Sequence, residues 1–156
     1  METTAVTVKR LLEVIPQSMA RIRTEIRSCI PGNLSVPDFR ILGSIMRGRN
    51  LVSDIARHHG VSQPSMSRSI EGLVRSGLVE RGSGASDRRQ APLRLTNKGA
   101  ALYRKITAAA EQRLHAQVAR LDDKTRRALL DGMAGLEQLF AGNPADGHSS
   151  RRKGRE

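Results

Sequence analysis

Aromatic side chains are nearly missing from this chain of 156 residues: there is no tryptophan, and Phe39, Tyr103 and Phe140 make up the 2% that is aromatic. Proteins that hold single-stranded nucleic acid stack its bases on aromatic platforms, so that mode of binding is disfavoured. Cysteine is as scarce. The single thiol, Cys29, excludes an internal disulfide framework and any cysteine-based zinc cluster. No apolar run is long enough to span a bilayer, and Met1 to Arg10 contains no apolar signal-peptide core; a cytoplasmic protein without a membrane partner is expected. Acidic residues are few too. Against 15 Asp+Glu stand 27 Lys+Arg, a formal net charge of +12. A basic balance of this size is an electrostatic footprint for nucleic acid or for an anionic surface, and with aromatics so rare duplex DNA is the better partner. Catalytic constellations are lacking: there is no Gly-x-Ser-x-Gly elbow and no phosphate-binding glycine loop, and Asp122-Asp123 reads as a helix cap. Neither an enzyme nor a bound metal or cofactor is expected.

What is present is concentrated between Leu51 and Gly99. A short helix is predicted over Ser53 to His59, stopped by Gly60, and a second from Gln63 to Ser76, stopped by Gly77. Ser62 is placed to accept from the free N–H groups of the second helix, where Pro64 is tolerated because its missing N–H would have no intrahelical partner. Met66, Ile70, Leu73 and Val74 recur at three- and four-residue spacing and give that helix one apolar face. The polar residues near its start, Gln63, Ser65, Ser67 and Arg68, are uncharged or cationic. Gln pairs bidentately with adenine, Ser bonds base edges or phosphate, and Arg takes guanine or phosphate. An ordinary amphipathic helix with its polar side in water is the competing reading. After Leu78 to Arg81 comes a polar turn, Gly82 to Gln90, carrying Asp87, Arg88 and Arg89, then a return strand over Ala91 to Leu95 and a helix begun by Thr96. Two helices on a tight turn followed by a cationic two-stranded flap is the layout of a winged helix-turn-helix, whose second helix enters the major groove. The arginine tip suits the minor groove, where the negative potential is enhanced; a solvated loop is the alternative.

The run Ser65-Met66-Ser67-Arg68, with Leu73-Val74, Gly77-Leu78-Val79, Asp87-Arg88-Arg89 and Thr96-Asn97-Lys98-Gly99, resembles the signature of the MarR family of bacterial transcription regulators in order and spacing. Upstream, Leu34-Ser35, Phe39-Arg40-Ile41-Leu42 and Asp54-Ile55-Ala56 fit as well, so that the resemblance covers roughly Leu11 to Phe140. It implies a dimeric, double-stranded-DNA-binding regulator, usually a repressor, often released by a small aromatic ligand or by oxidation. It further implies that Asp87 braces a wing arginine. Leu51 departs from the family, which usually carries a threonine-type cap there.

The expected fold is mainly α: a winged helix-turn-helix with a small β-wing and a helical dimerisation region built from the N- and C-terminal helices. Residues 1–34 are assigned to an N-terminal dimerisation helix, 35–98 to the DNA-binding lobe, 99–140 to C-terminal dimerisation helices and 141–156 to a disordered basic tail, in which Arg151, Arg152 and Lys153 either add nonspecific phosphate attraction or are merely solvated. Met1 to Thr7 reads as frayed. From Val8 the residues Leu11, Leu12, Ile15, Met19, Ile22, Ile26 and Ile30 then keep helical spacing through Pro16, which is expected to bend the helix, until Pro31-Gly32 stops it. A helix with so much apolar surface and so little chain to cover it invites a partner subunit. Ser35 and Asp38 form a capping-box pattern, with Leu34 and Phe39 placed as a hydrophobic staple. Leu51-Val52 is a candidate short strand beside the wing. Leu102, Tyr103, Ile106, Ala110, Leu114, Val118 and Leu121 are expected to face inward on the Thr96 helix, and Leu129, Leu130, Met133, Leu136, Leu139 and Phe140 form the apolar face of the last one.

The DNA-binding set is therefore Ser62, Gln63, Pro64, Ser65, Ser67, Arg68, Asp87, Arg88, Arg89 and, on the return strand, Arg94. For an aromatic effector, Arg21, Arg23 and Tyr103 are the candidates, with arginines facing only water as the competing reading. His58 and His59 are helix neighbours whose side chains diverge and make no natural chelate; His59 is expected to be a partly buried histidine. Cys29 is read as an inert small apolar residue in preference to a redox switch. Two rival functions remain open, a DNA-binding regulator with no effector and a winged helix used as a protein-interaction module.

Overall fold

The computed structural model describes residues 2–82 and 91–141. Six helices and one two-stranded antiparallel sheet are found among them. The chain divides into two compact units, the boundary falling between His115 and Ala116.

The first unit opens with α1 (Glu2–Cys29), which keeps Pro16 inside it. It begins earlier than the expected fraying of Met1 to Thr7 allowed. Its stripe is only partly covered: Leu11, Ile15, Ile26 and Ile30 are half-buried, whereas Val8, Leu12, Met19 and Ile22 face solvent. Next comes α2 (Val36–Met46). Ser35 Oγ accepts from Asp38 N at 3.2 Å while Asp38 Oδ2 accepts from Ser35 N at 3.2 Å, so two otherwise orphaned N–H groups are satisfied reciprocally. The staple residues Leu34 and Phe39 are both buried in the core.

α3 (Val52–His59) starts from Leu51 without any side-chain cap bond, which is the local consequence of the missing threonine-type residue. Val52 belongs to this helix rather than to a strand, because it buries its side chain in the core as the first helical residue. The expected strand shrinks to one bond, from Leu93 N to Asn50 O at 2.7 Å. α4 (Gln63–Arg75) is capped by Ser62 Oγ, which accepts from Ser65 N at 3.4 Å. Met66, Ile70 and Leu73 are buried and Val74 is packed against the same core.

α4 ends in a Schellman turn. Leu78 N donates to Leu73 O at 3.0 Å and Gly77 N to Val74 O at 2.9 Å, with Gly77 at φ 69°. A side chain is strained in that left-handed conformation, and glycine is not. β1 (Val79–Arg81) then pairs with β2 (Leu93–Leu95) in the register Val79–Leu95, Glu80–Arg94, Arg81–Leu93. The return strand is thus shorter than Ala91 to Leu95.

α5 (Asn97–Val118) begins under Thr96, whose hydroxyl accepts from Gly99 N at 3.0 Å. A Cβ on Gly99 would lie 2.0 Å from Leu78 O, so glycine is what lets the helix start this close to β1. Inward packing holds for Ile106 and Ala110, which are buried, and partly for Leu102, Tyr103 and Leu114; Val118 is exposed, contrary to expectation. The expected inward face extends over the boundary at His115, and Val118 lies past it in the second unit.

That second unit contains α6 (Asp123–Phe140). Asp122 caps it through Oδ1, which accepts from Thr125 N at 2.8 Å, and the same two residues are joined by a hydroxyl bond of 2.9 Å. These bonds hold the Asp122 carboxyl below its ordinary pKa. None of the described residues of α6 is buried.

Candidate nucleic-acid interface

The core positions α4 by its apolar side and leaves its polar residues outward. Ser62, Gln63, Pro64 and Arg68 are exposed, and Ser65 and Ser67 are half-buried at the edge of the packed face. No acidic residue occupies the first turn of α4. Its free N–H groups and partial positive charge therefore point outward unopposed, an arrangement that suits phosphate. Glu71 is exposed further along and Arg75 closes the last turn.

The sheet is the stalk of the wing. Arg94 is exposed on β2 directly opposite Glu80 in the register, a cross-strand position where opposite charges are favourable. Asp87, Arg88 and Arg89 lie outside the described residues, as do Arg151, Arg152 and Lys153 of the tail.

Around His59 the charge is again positive. His59 on α3 sits 2.9 Å from Ser44 Oγ on α2. Its pKa is lowered to about 4, first by desolvation and then by the positive charges of Arg40, His58, Arg47 and Arg49. The partly buried histidine expected from sequence is what is found, and its ring meets that of His58 edge-on at 5.5 Å. Among the described residues no group of His, Cys, Asp or Glu is arranged to hold a metal ion. Asp54 is paired with Arg57 at 3.4 Å.

The effector candidates are spread more widely. Tyr103 stacks on Phe39 with ring centroids 5.1 Å apart, and its hydroxyl lies 3.5 Å from Arg47 Nη1. Gly43 makes room for the ring, since a Cβ there would stand 3.1 Å from Tyr103 Cε2. Arg21 and Arg23 are exposed on α1, where Arg23 Nε donates to Met19 O of its own helix at 3.2 Å. Sequence reasoning missed Arg47 as the cation beside Tyr103 and Ser44 as the partner of His59. The only available signals were a glycine and a serine inside the otherwise apolar run Ile41 to Ile45. Cys29 is half-buried against the core, and its thiol donates to Glu25 O at 3.3 Å.

The comparisons agree with the winged-helix fold. Residues 33–90 match the sequence model of the MarR family. Among solved structures the chain is similar to Rv1404 from Mycobacterium tuberculosis, with 20% identity, a TM-score of 0.72 and coverage of 97% of this chain and 99% of that one. It is similar to a MarR family protein from Bacillus stearothermophilus, with 19% identity, a TM-score of 0.71 and coverage of 90% and 98%. A further similar structure is the MarR family protein Rv2887 of Mycobacterium tuberculosis solved with p-aminosalicylic acid, with 26% identity, a TM-score of 0.65 and coverage of 81% and 97%.

Proposed function

We propose that the chain, whose residues 33–90 match the MarR family model and whose fold is that of MarR proteins, is a member of that family and a sequence-specific double-stranded-DNA-binding transcription regulator. It acts as a homodimer on a pseudo-palindromic operator and represses by occupying the promoter. The observation that carries the reading is α4 itself: a capped helix whose exposed Gln63 and Arg68 and half-buried Ser67 are base- and phosphate-binding types, with no acid in the first turn. The net charge of +12 supplies the nonspecific attraction.

Dimer formation is supported by uncovered apolar surface. On α6, Leu130, Leu139 and Phe140 are 66%, 59% and 58% exposed, and on α1 Leu12 is 73% exposed. Patches of this kind are unusual on soluble monomers, and a twofold pairing covers the same surface of both copies. The dimerisation region proposed is therefore the N-terminal helix with the C-terminal helices, and the proposed DNA-binding lobe is residues 35–98. A small aromatic carboxylate is the proposed effector, by likeness to Rv2887. Tyr103 would offer a ring and Arg47 a cation, with Arg21 and Arg23 as further cationic candidates.

The test is selection of duplexes from a random pool by the full chain, followed by footprinting. Enrichment of a palindrome with half-sites about one DNA turn apart is expected. Enrichment of nothing, with binding that merely tracks charge, would move the chain to the protein-interaction reading.

A further inference from the structure

The C-terminus of α4 is held by the first residues of α5, through contacts that skip the whole wing. Successive carbonyls after α4 are each taken. Ser76 O accepts from Lys98 Nζ at 3.1 Å, Gly77 O from Thr96 Oγ1 at 2.7 Å, and Leu78 O from Thr96 N at 3.1 Å. The Thr96 hydroxyl works in both directions, since it also accepts from Gly99 N and so caps α5. Gly99, lacking a Cβ, closes the remaining gap against Leu78 O. Helix C-termini carry unpaired carbonyls and partial negative charge, and a lysine ammonium answers both.

We propose that Lys98 is a positioning residue for the recognition helix: it locks the C-terminal end of α4 to the start of α5 and is not a phosphate contact. An exposed lysine at the edge of a DNA-binding lobe would ordinarily be assigned to the DNA backbone. Here its ammonium is already aimed at the main-chain carbonyl of Ser76, the C-cap of α4. The consequence is that α4 and the first turn of α5 move as one body, so that the orientation of Gln63 and Ser67 follows α5. The inference rests on the DNA-reading role proposed for α4.

The test compares the full-length chain with Lys98→Met and Lys98→Arg. The probes are a duplex recovered from a random pool by the wild type and a scrambled duplex of the same length, each titrated over a range of salt. Urea unfolding of each variant fixes the folded fraction, and binding is compared where all are folded. Lys98→Met is expected to weaken the selected duplex roughly threefold to tenfold, the scale of one net hydrogen bond. Affinity for the scrambled duplex and the salt slope are expected to stay as in the wild type, and Lys98→Arg, which keeps a cationic donor, should restore the ratio. Two results overturn the assignment. One is equal weakening on both duplexes with the slope reduced by about 0.9, the signature of one lost phosphate. The other is an unchanged ratio in the folded Lys98→Met chain. A wild type that selects no duplex at all would remove the DNA-reading role together with this one, and is read from the wild-type arm alone.

Discussion

Ser44 of α2 and His59 of α3 share a hydrogen bond across the core. Ser44 Oγ lies 3.1 Å from Arg40 O and 2.9 Å from His59 Nε2, and Ser44 is fully buried. A hydroxyl has one proton. Donated to Arg40 O, as the geometry allows, it leaves the hydroxyl oxygen to accept from His59 Nε2 in the ring's Nε2–H tautomer. A second proton is disfavoured first by burial of the ring and then by the positive charges of Arg40, His58, Arg47 and Arg49, and its pKa is lowered to about 4.

Acid stability follows. The unfolded histidine takes up its proton near 6.5, the folded one only near 4. The contribution of His59 to stability is therefore full above pH 6.5 and is withdrawn as the pH falls through that window. Thermal melting should drop between pH 7 and pH 4.5, and His59→Leu should make that drop shallower, because Ser44 can still donate to Arg40 O. Parallel pH profiles for the two chains would show that His59 is not the group responsible.

Gly99→Ala should destabilise the lobe. The added methyl would stand 2.0 Å from Leu78 O, a backbone atom that cannot rotate away. A loss of roughly 1–3 kcal/mol or more is expected for such overpacking. A urea midpoint equal to that of the wild type would mean that β1 and α5 separate freely.

Base reading is assigned to the start of α4. Gln63→Ala and Ser67→Ala should shrink the gap between selected and scrambled duplex, by roughly 1–3 kcal/mol where a bidentate contact is lost, and leave nonspecific binding nearly intact. If both variants keep the full gap, another element reads the sequence.

Wing charge should show itself in salt. Replacing Arg88 and Arg89 by alanine is expected to weaken binding and flatten the salt dependence, by about 0.9 in slope for each phosphate released. Equal slopes before and after the change would take the wing off the DNA.

Pairing through the exposed face of α6 predicts that Leu130→Glu or Leu139→Glu gives monomers by light scattering. It also predicts a loss of operator affinity far beyond one half-site contact, since the recognition helices would no longer be held at a set spacing. A wild-type chain that is monomeric at micromolar concentration and still grips a palindrome would defeat the dimer.

How much of this was written in the sequence depends on how far apart the interacting residues lie. Helix starts at Ser35, Ser62 and Asp122 were legible because a cap bonds a residue three positions on, and the end of α4 because Gly77 supplies a left-handed turn. The apolar spacing of Met66, Ile70 and Leu73 predicted the buried side of α4, and with it the outward residues. The beginning of α1 was missed, since Met1 to Thr7 offers no periodic apolar signal. The strand at Leu51-Val52 was misassigned, since the short apolar pair fits helix and strand alike and core burial of Val52 decides for helix. Tertiary structure alone joined Ser44 to His59, Tyr103 to Arg47 and Lys98 to Ser76. Each of those pairs is separated by 15 positions or more, and composition and periodicity constrain only neighbours within a turn or two. Which partner a polar side chain meets across a core is set by how helices pack, and that is information the linear pattern does not contain.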